Sequence, residues 1–146
     1  MIGNAHISEA SAAETYDLGV VKLRILAAAD RTNGVFAMGE FSGGEGPWTV
    51  PHVHRQSEES FYVLNGSFTF TLGEDEVEAT PGTFIVVPRG TRHVMRAASG
   101  GGRFLTLWTP GGLEDMFIEL SRLPADSLRD PATRASLSTR FDSTPV

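Results

Sequence analysis

Between Leu18 and Pro110 the chain is a series of short apolar runs, each stopped by a glycine- or proline-bearing turn signal. That punctuation leaves no room for long helices and asks for strands. "VVKLRILAAAD" and "RTNGVFAMGEF" flank Asn33-Gly34, and "FYVLNGSFTFTLG" contains Asn65-Gly66. Asn-Gly between strand-like runs predicts a two-residue hairpin at each place, because a type I′ turn needs positive φ at both central residues. Within "SFTFTL", Phe68, Phe70 and Leu72 alternate with Ser67, Thr69 and Thr71, which sends the apolar set to one face. "EVEATPGTFIVVP", "HVMRAAS" and "RFLTLWTP" follow, separated by Pro81-Gly82, "PRGTR" and "SGGG". About eight short strands at such spacing predict an all-β fold, an antiparallel barrel or sandwich rather than βαβ units.

The periodicity changes after Pro110. Leu113, Met116, Phe117, Leu120 and Leu123 recur at helical spacing between Gly112 and Pro124. "DPATRASLSTRF" predicts a second short helix, with Asp130 as N-cap and Pro131 at the first helical position. The expected organisation is a polar arm or late edge strand over 1–17, a barrel over 18–110, and a helical segment with a tail over 111–146. At 146 residues one domain is the simplest reading.

Composition narrows the function. A formal charge of −6, with no basic stripe, argues against nucleic acid as a partner. The first residues lack the basic start and apolar core of a signal peptide, and no apolar run approaches membrane-spanning length. The expectation is a cytoplasmic protein with no membrane partner. There are no cysteines, so any metal must sit on nitrogen and oxygen.

Such ligands are concentrated in "PHVHRQSEES", residues 51–60, which holds two of the four histidines and two adjacent acids. His52 and His54 differ by two positions, so on a strand both imidazoles share a face. Glu59 shares parity with Phe61 and Val63, which would aim it at the interior from the next strand. Far downstream His93 follows a Pro88-x-Gly90 corner and opens a new strand. Three neutral imidazoles and a carboxylate suit Fe, Mn, Ni, Co, Cu or Zn and leave coordination positions open for water, substrate or O2.

The spacing resembles that of a known family. Gly46-x5-His52-x-His54-x4-Glu59-x6-Gly66 resembles the first motif of the cupin superfamily, and Gly82-x5-Pro88-x-Gly90-x2-His93 resembles the second. The resemblance implies a small antiparallel jelly-roll barrel with a C-terminal helix, holding one divalent transition metal on His52, His54, Glu59 and His93. It places Glu59, not Glu58, in the ligand position. The Asn that usually ends the second motif is replaced by Ala97. Many one-barrel cupins dimerise, so a homodimer is implied.

Within the superfamily the chain is similar to bacterial single-domain cupins related to quercetin 2,3-dioxygenase. This implies a metal-dependent dioxygenase that opens an enolic aromatic, flavonol-like substrate with O2, with Glu59 also serving as catalytic base. Two alternatives stand beside it: a non-redox cyclase or isomerase of a polyketide- or sugar-like substrate, and a small-molecule-binding cupin without turnover. Phe61, Met95 and Phe104 are the expected pocket residues. Glu58 is expected on the solvated face, Arg89 and Arg92 on a solvated turn, and His6 has no assigned role.

Overall fold

The computed structural model describes residues 4–146, so the first three residues of the arm lie outside the described part. The strands are β1 (Thr15–Asp17), β2 (Val21–Ala27), β3 (Ala37–Gly43), β4 (Gly46–Pro47), β5 (His52–Val53), β6 (Glu58–Leu72), β7 (Asp75–Ala79), β8 (Phe84–Val87), β9 (His93–Thr109) and β10 (Thr144–Pro145). Three helices, α1 (Glu114–Ser121), α2 (Ala125–Arg129) and α3 (Pro131–Ser138), come between β9 and β10. Every strand pairing is antiparallel.

Two long strands organise the sheet. β6 has 15 residues and β9 has 17, and they pair along most of their lengths. On one side of a bend, the first half of β6 and the second half of β9 join β8, β3, β2 and β1. On the other side, the second half of β6 and the first half of β9 join β7, β4, β5 and β10. Strands that cross from one layer to the next in this way close a jelly-roll barrel.

This topology overturns the expected hairpin at Asn65-Gly66 and keeps the one at Asn33-Gly34, where β2 and β3 pair antiparallel, with a longer loop. Asn65-Gly66 is no turn: β6 runs straight through it, with register shifts between Val63 and Asn65 and between Gly66 and Phe68. The cause is the partner strand. Gly66 has φ +79°, and a Cβ there would lie 2.2 Å from the Gly101 carbonyl oxygen. The glycine therefore lets two backbones touch at a β-bulge where the barrel turns its corner. "SGGG" is likewise a bend inside β9 rather than a break between strands. Asn33 and Gly34 do have positive φ, 55° and 78°. They sit, however, in a nine-residue connection (28–36) held by Gly34 N–H to the Ala29 carbonyl (2.8 Å) and Thr32 Oγ1 to the Phe36 carbonyl (2.5 Å). The tight hairpin lies instead at Gly73-Glu74, where Leu72 pairs with Asp75 and Gly73 has φ +64°. Glycine first in a two-residue loop is the type II′ signal.

The helical expectations hold at their positions. Leu113, Met116 and Leu120 are buried against the barrel, with Phe117 and Leu123 partly so. The Asp130 carboxylate accepts from the Thr133 N–H at 3.1 Å and caps α3, with Pro131 behind it. The arm folds back on β2, His6 Nε2 and Ser8 Oγ each meeting the Leu26 carbonyl. The final residues are not a loose tail: β10 pairs Thr144 with Val53 and Pro145 with His52.

The core between the layers is aromatic. Phe41, Trp48, Phe61, Phe68, Phe70, Phe104 and Trp108 are all at most 7% exposed, with ring centroids 4.9–6.3 Å apart in tilted or edge-on contacts.

Candidate metal centre

The four expected ligands come from three places in the fold. His52 and His54 lie on and just after β5, His93 opens β9, and Glu59 is the second residue of β6. His52 and His93 are a cross-strand pair. Glu59 comes from the other layer, where it faces Val87 and Trp108. Glu59 faces inward with the residues that share its parity: Glu59, Phe61 and Val63 are all buried, whereas Tyr62 is exposed. The imidazole centroids are 4.1 Å (His52–His93), 4.8 Å (His52–His54) and 5.1 Å (His54–His93) apart. One ligand atom from each of the four side chains lies within 4.8 Å of all the others, and all four residues are buried.

Each ring is held by the nitrogen that faces away from the cluster. His52 Nδ1 meets the Val50 carbonyl at 2.7 Å, His54 Nδ1 the Asp142 carbonyl at 2.6 Å, and His93 Nδ1 the Thr91 carbonyl at 2.9 Å. A carbonyl can only accept, so each Nδ1 carries the proton and each Nε2 presents a lone pair. Backbone carbonyls on the outer nitrogen are the usual device for orienting metal-binding imidazoles.

The inward atoms lack ordinary partners. His54 Nε2, His93 Nε2 and Glu59 Oε2 are buried without a well-directed hydrogen bond. Yet His54 Nε2 lies 2.5 Å and His93 Nε2 3.6 Å from Glu59 Oε2. A lone pair that close to a carboxylate oxygen is repulsive unless a cation lies against both, and that cation is a proton or a metal. The residues present therefore fit one divalent transition metal.

Electrostatics point the same way. Burial, with the neighbouring His93, pushes His52 down to about 4, so it is neutral and able to ligate. Burial also opposes charge on His54, but the Glu59 carboxylate and the Asp142 carbonyl outweigh it and the pKa rises. Burial works to raise the Glu59 pKa; the attraction of His54 and His93 prevails and holds it well below the usual carboxylate range. The pocket thus keeps Glu59 as an anion beside a neutral His52, with positive charge favoured against the carboxylate at His54.

Glu58 points outward to Arg89, Nε to Oε2 2.6 Å, which ties the start of β6 to the corner before His93. Arg92 is exposed. Ala97 is 2% exposed and pairs with Gly46 and Phe68, so the wall is apolar where the resembled motif has Asn. Phe61 and Met95 follow Glu59 and His93 by one inward step, 1% and 3% exposed, and Phe104 is 1% exposed. All three belong to the packed core, Phe61 with centroids 5.0 Å from Phe70 and 5.2 Å from Phe104.

Sequence reasoning missed Asp142. Besides its carbonyl on His54, its carboxylate accepts from Arg55 N–H, Gln56 N–H and Ser57 Oγ, each at 2.8 Å. Nothing in "FDSTPV" pairs it with residue 54; only the return of the chain after α3 does so.

Comparison with known proteins agrees with the geometry. Over 97 residues the chain is 34% identical to a quercetin 2,3-dioxygenase of Bacillus subtilis (strain 168), and over 87 residues 29% identical to one from Aspergillus japonicus. The matches cover 66% and 56% of this chain but 29% and 25% of those proteins, so it spans less than a third of either relative. The solved structure of KdgF from Halomonas sp. has the same fold, with a TM-score of 0.68 at 18% identity over 76% of this chain and 98% of that one. Residues 38–110, which carry all four clustered side chains, match the Cupin domain family, and the chain belongs to it.

Proposed function

We propose that this protein is a metal-dependent cupin enzyme, a dioxygenase that opens an enolic aromatic substrate of the flavonol type. The observation that carries the reading is the buried His52–His54–Glu59–His93 group with all three Nδ1 atoms turned outward. The likeness to two quercetin 2,3-dioxygenases supports this choice of substrate class. A bound divalent transition metal, whether Fe, Mn, Ni, Co, Cu or Zn, supplies Lewis acidity and, for the redox-active ions, a route for electrons to O2.

The chain's own residues do the rest. Val50, Asp142 and Thr91 carbonyls hold the rings. Glu59 is the catalytic base: its Oε2 faces the centre and accepts the proton of the substrate's enolic hydroxyl. Phe61 and Met95, one step deeper than Glu59 and His93, form the apolar floor on which the substrate ring rests, backed by Phe104. A homodimer belongs to the same reading. Among the described residues β8 pairs with β6 alone, and its outward residues Phe84 (60% exposed) and Val86 (52%), with Tyr62 (43%) beside them, form an apolar edge for a second copy.

Oxygen uptake tests the reading. Protein loaded separately with Fe(II), Mn, Co, Ni and Zn is given a panel of flavonols, with His93→Ala as control. The expectation is uptake that needs both a metal and His93. Stoichiometric metal without uptake would sink flavonol oxygenation. A non-redox reading, in which the metal polarises a carbonyl of a smaller substrate, then takes its place. One observation favours it: Phe61 and Phe104 fill the interior beside the centre with mutual ring contacts, leaving less room for a planar multi-ring substrate.

A further inference from the structure

We infer that Asp142 is a positioning residue for the metal centre, and that the C-terminal strand, outside the family-matched residues 38–110, completes the site. The inference rests on the reading that the four buried side chains hold a metal.

The carbonyl of Asp142 fixes the proton of His54 on Nδ1 at 2.6 Å, so the His54 Nε2 lone pair faces Glu59. The other two rings are held differently. His52 and His93 use carbonyls two residues before them, Val50 and Thr91, and carry their own orientation with them. His54 depends on a carbonyl 88 residues away.

That carbonyl is held in place by the same residue's carboxylate. Oδ1 accepts from Arg55 N–H, and Oδ2 from Gln56 N–H and Ser57 Oγ, so Asp142 clasps the three residues after His54. The clasp spans the turn between β5 and β6 and so also fixes where Glu59 enters its strand. On its far side, β10 pairs with His52 and Val53, and Val146 N–H donates to the Pro51 carbonyl at 3.0 Å. Buried Leu137 and part-buried Phe141 attach the segment to the core. Ligand orientation thus comes from the barrel segments at Val50 and Thr91 and from the distant Asp142, and what weakens the clasp lets His54 rotate or change tautomer. By reciprocity, a metal that needs His54 in place must also order residues 142–146.

The test uses the full chain and Co(II) as probe. Affinity is measured by competition with a chromophoric chelator, and the Co(II) absorption band reports ligand geometry. Asp142→Ala should weaken Co(II) binding 10- to 100-fold and change the band, the range expected for loss of a partner that orients a ligand. Ser57→Ala should show a smaller loss, and Asp142→Asn, which keeps an acceptor oxygen, should recover part of it. On a His54→Ala background Asp142→Ala should cost clearly less than on wild type, since its main target is gone. Leu23→Ala, a core truncation on β2 that touches neither the clasp nor the segment that carries it, should lower stability and leave affinity within about twofold of wild type. In wild type, Co(II) should slow amide exchange at Val146.

Wild-type affinity in Asp142→Ala would overturn the inference, as would full additivity with His54→Ala. Failure of the metal reading looks different: the wild-type chain itself would bind no Co(II), or would bind it equally with His93→Ala, and the inference would fall with it.

Discussion

At the scale of single residues the centre is defined by what each side chain does with its second polar atom. A histidine whose Nδ1 faces a carbonyl has one lone pair left, and three such pairs converge on one carboxylate oxygen or its neighbours. Phe61 plays an apolar part beside them. It is 1% exposed and touches Phe70 and Phe104, so Phe61→Ala removes core packing but no ligand support. Urea unfolding of the metal-free protein should show a loss of about 3–5 kcal/mol. Co(II) stoichiometry should stay at one per chain. Loss of the metal with stability preserved would mean that Phe61, not the carbonyls, keeps the histidines in place.

Much of this scale was legible in the sequence. His-x-His on a strand, the parity of Glu59 with Phe61 and Val63, and His93 after a Pro-x-Gly corner each say which way a side chain points, and burial of all four agrees. What was not legible was the outer partner of each ring. Val50, Thr91 and Asp142 contribute carbonyls, which every residue has, so their identity carries no signal.

At the scale of elements, the same local signals were read correctly and incorrectly for one reason. Helices α1 and α3 depend on spacing and caps inside their own segments, and both formed where expected. Strand ends depend on partners far away. Asn65-Gly66 has the composition of a hairpin, yet both flanks of that dipeptide pair with β9, so the chain stays extended and the glycine absorbs the bend. Gly66→Ala tests this. The added methyl meets the Gly101 carbonyl at 2.2 Å and the residue must hold φ +79°. We expect a loss on the order of 3 kcal/mol or more by chemical denaturation. A turn on the surface would tolerate the change with a loss of about 1 kcal/mol, and that result would remove the corner from this account.

At the scale of the whole molecule, the two layers meet along β6 and β9, and the site sits where both layers and the C-terminal strand come together. Among the described residues no helix is long and apolar enough to cross a membrane. The outer edge is the remaining large-scale feature. In the proposed homodimer Phe84, Val86 and Tyr62 are covered by a second copy. Sedimentation at micromolar concentration should then give a dimer for the wild type and a monomer for Phe84→Glu, with Co(II) binding unchanged. A monomeric wild type would refute the dimer and leave the centre untouched.

What the amino-acid sequence determined by itself is whatever depends on a residue and its near neighbours. That includes strand-length runs, the inward face of β6, the helical stripe after Pro110, the cap at Asp130 and the ligand spacing His52-x-His54. It includes too the likeness of residues 46–93 to the cupin motifs, since spacing is a property of the chain. Tertiary structure alone decided which backbone groups meet. It turned an Asn-Gly pair into a barrel corner, filled the interior with packed rings, and brought Asp142 back to His54. The reason is physical: backbone amides and carbonyls are alike at every residue, so which of them pair is set by the path of the whole chain.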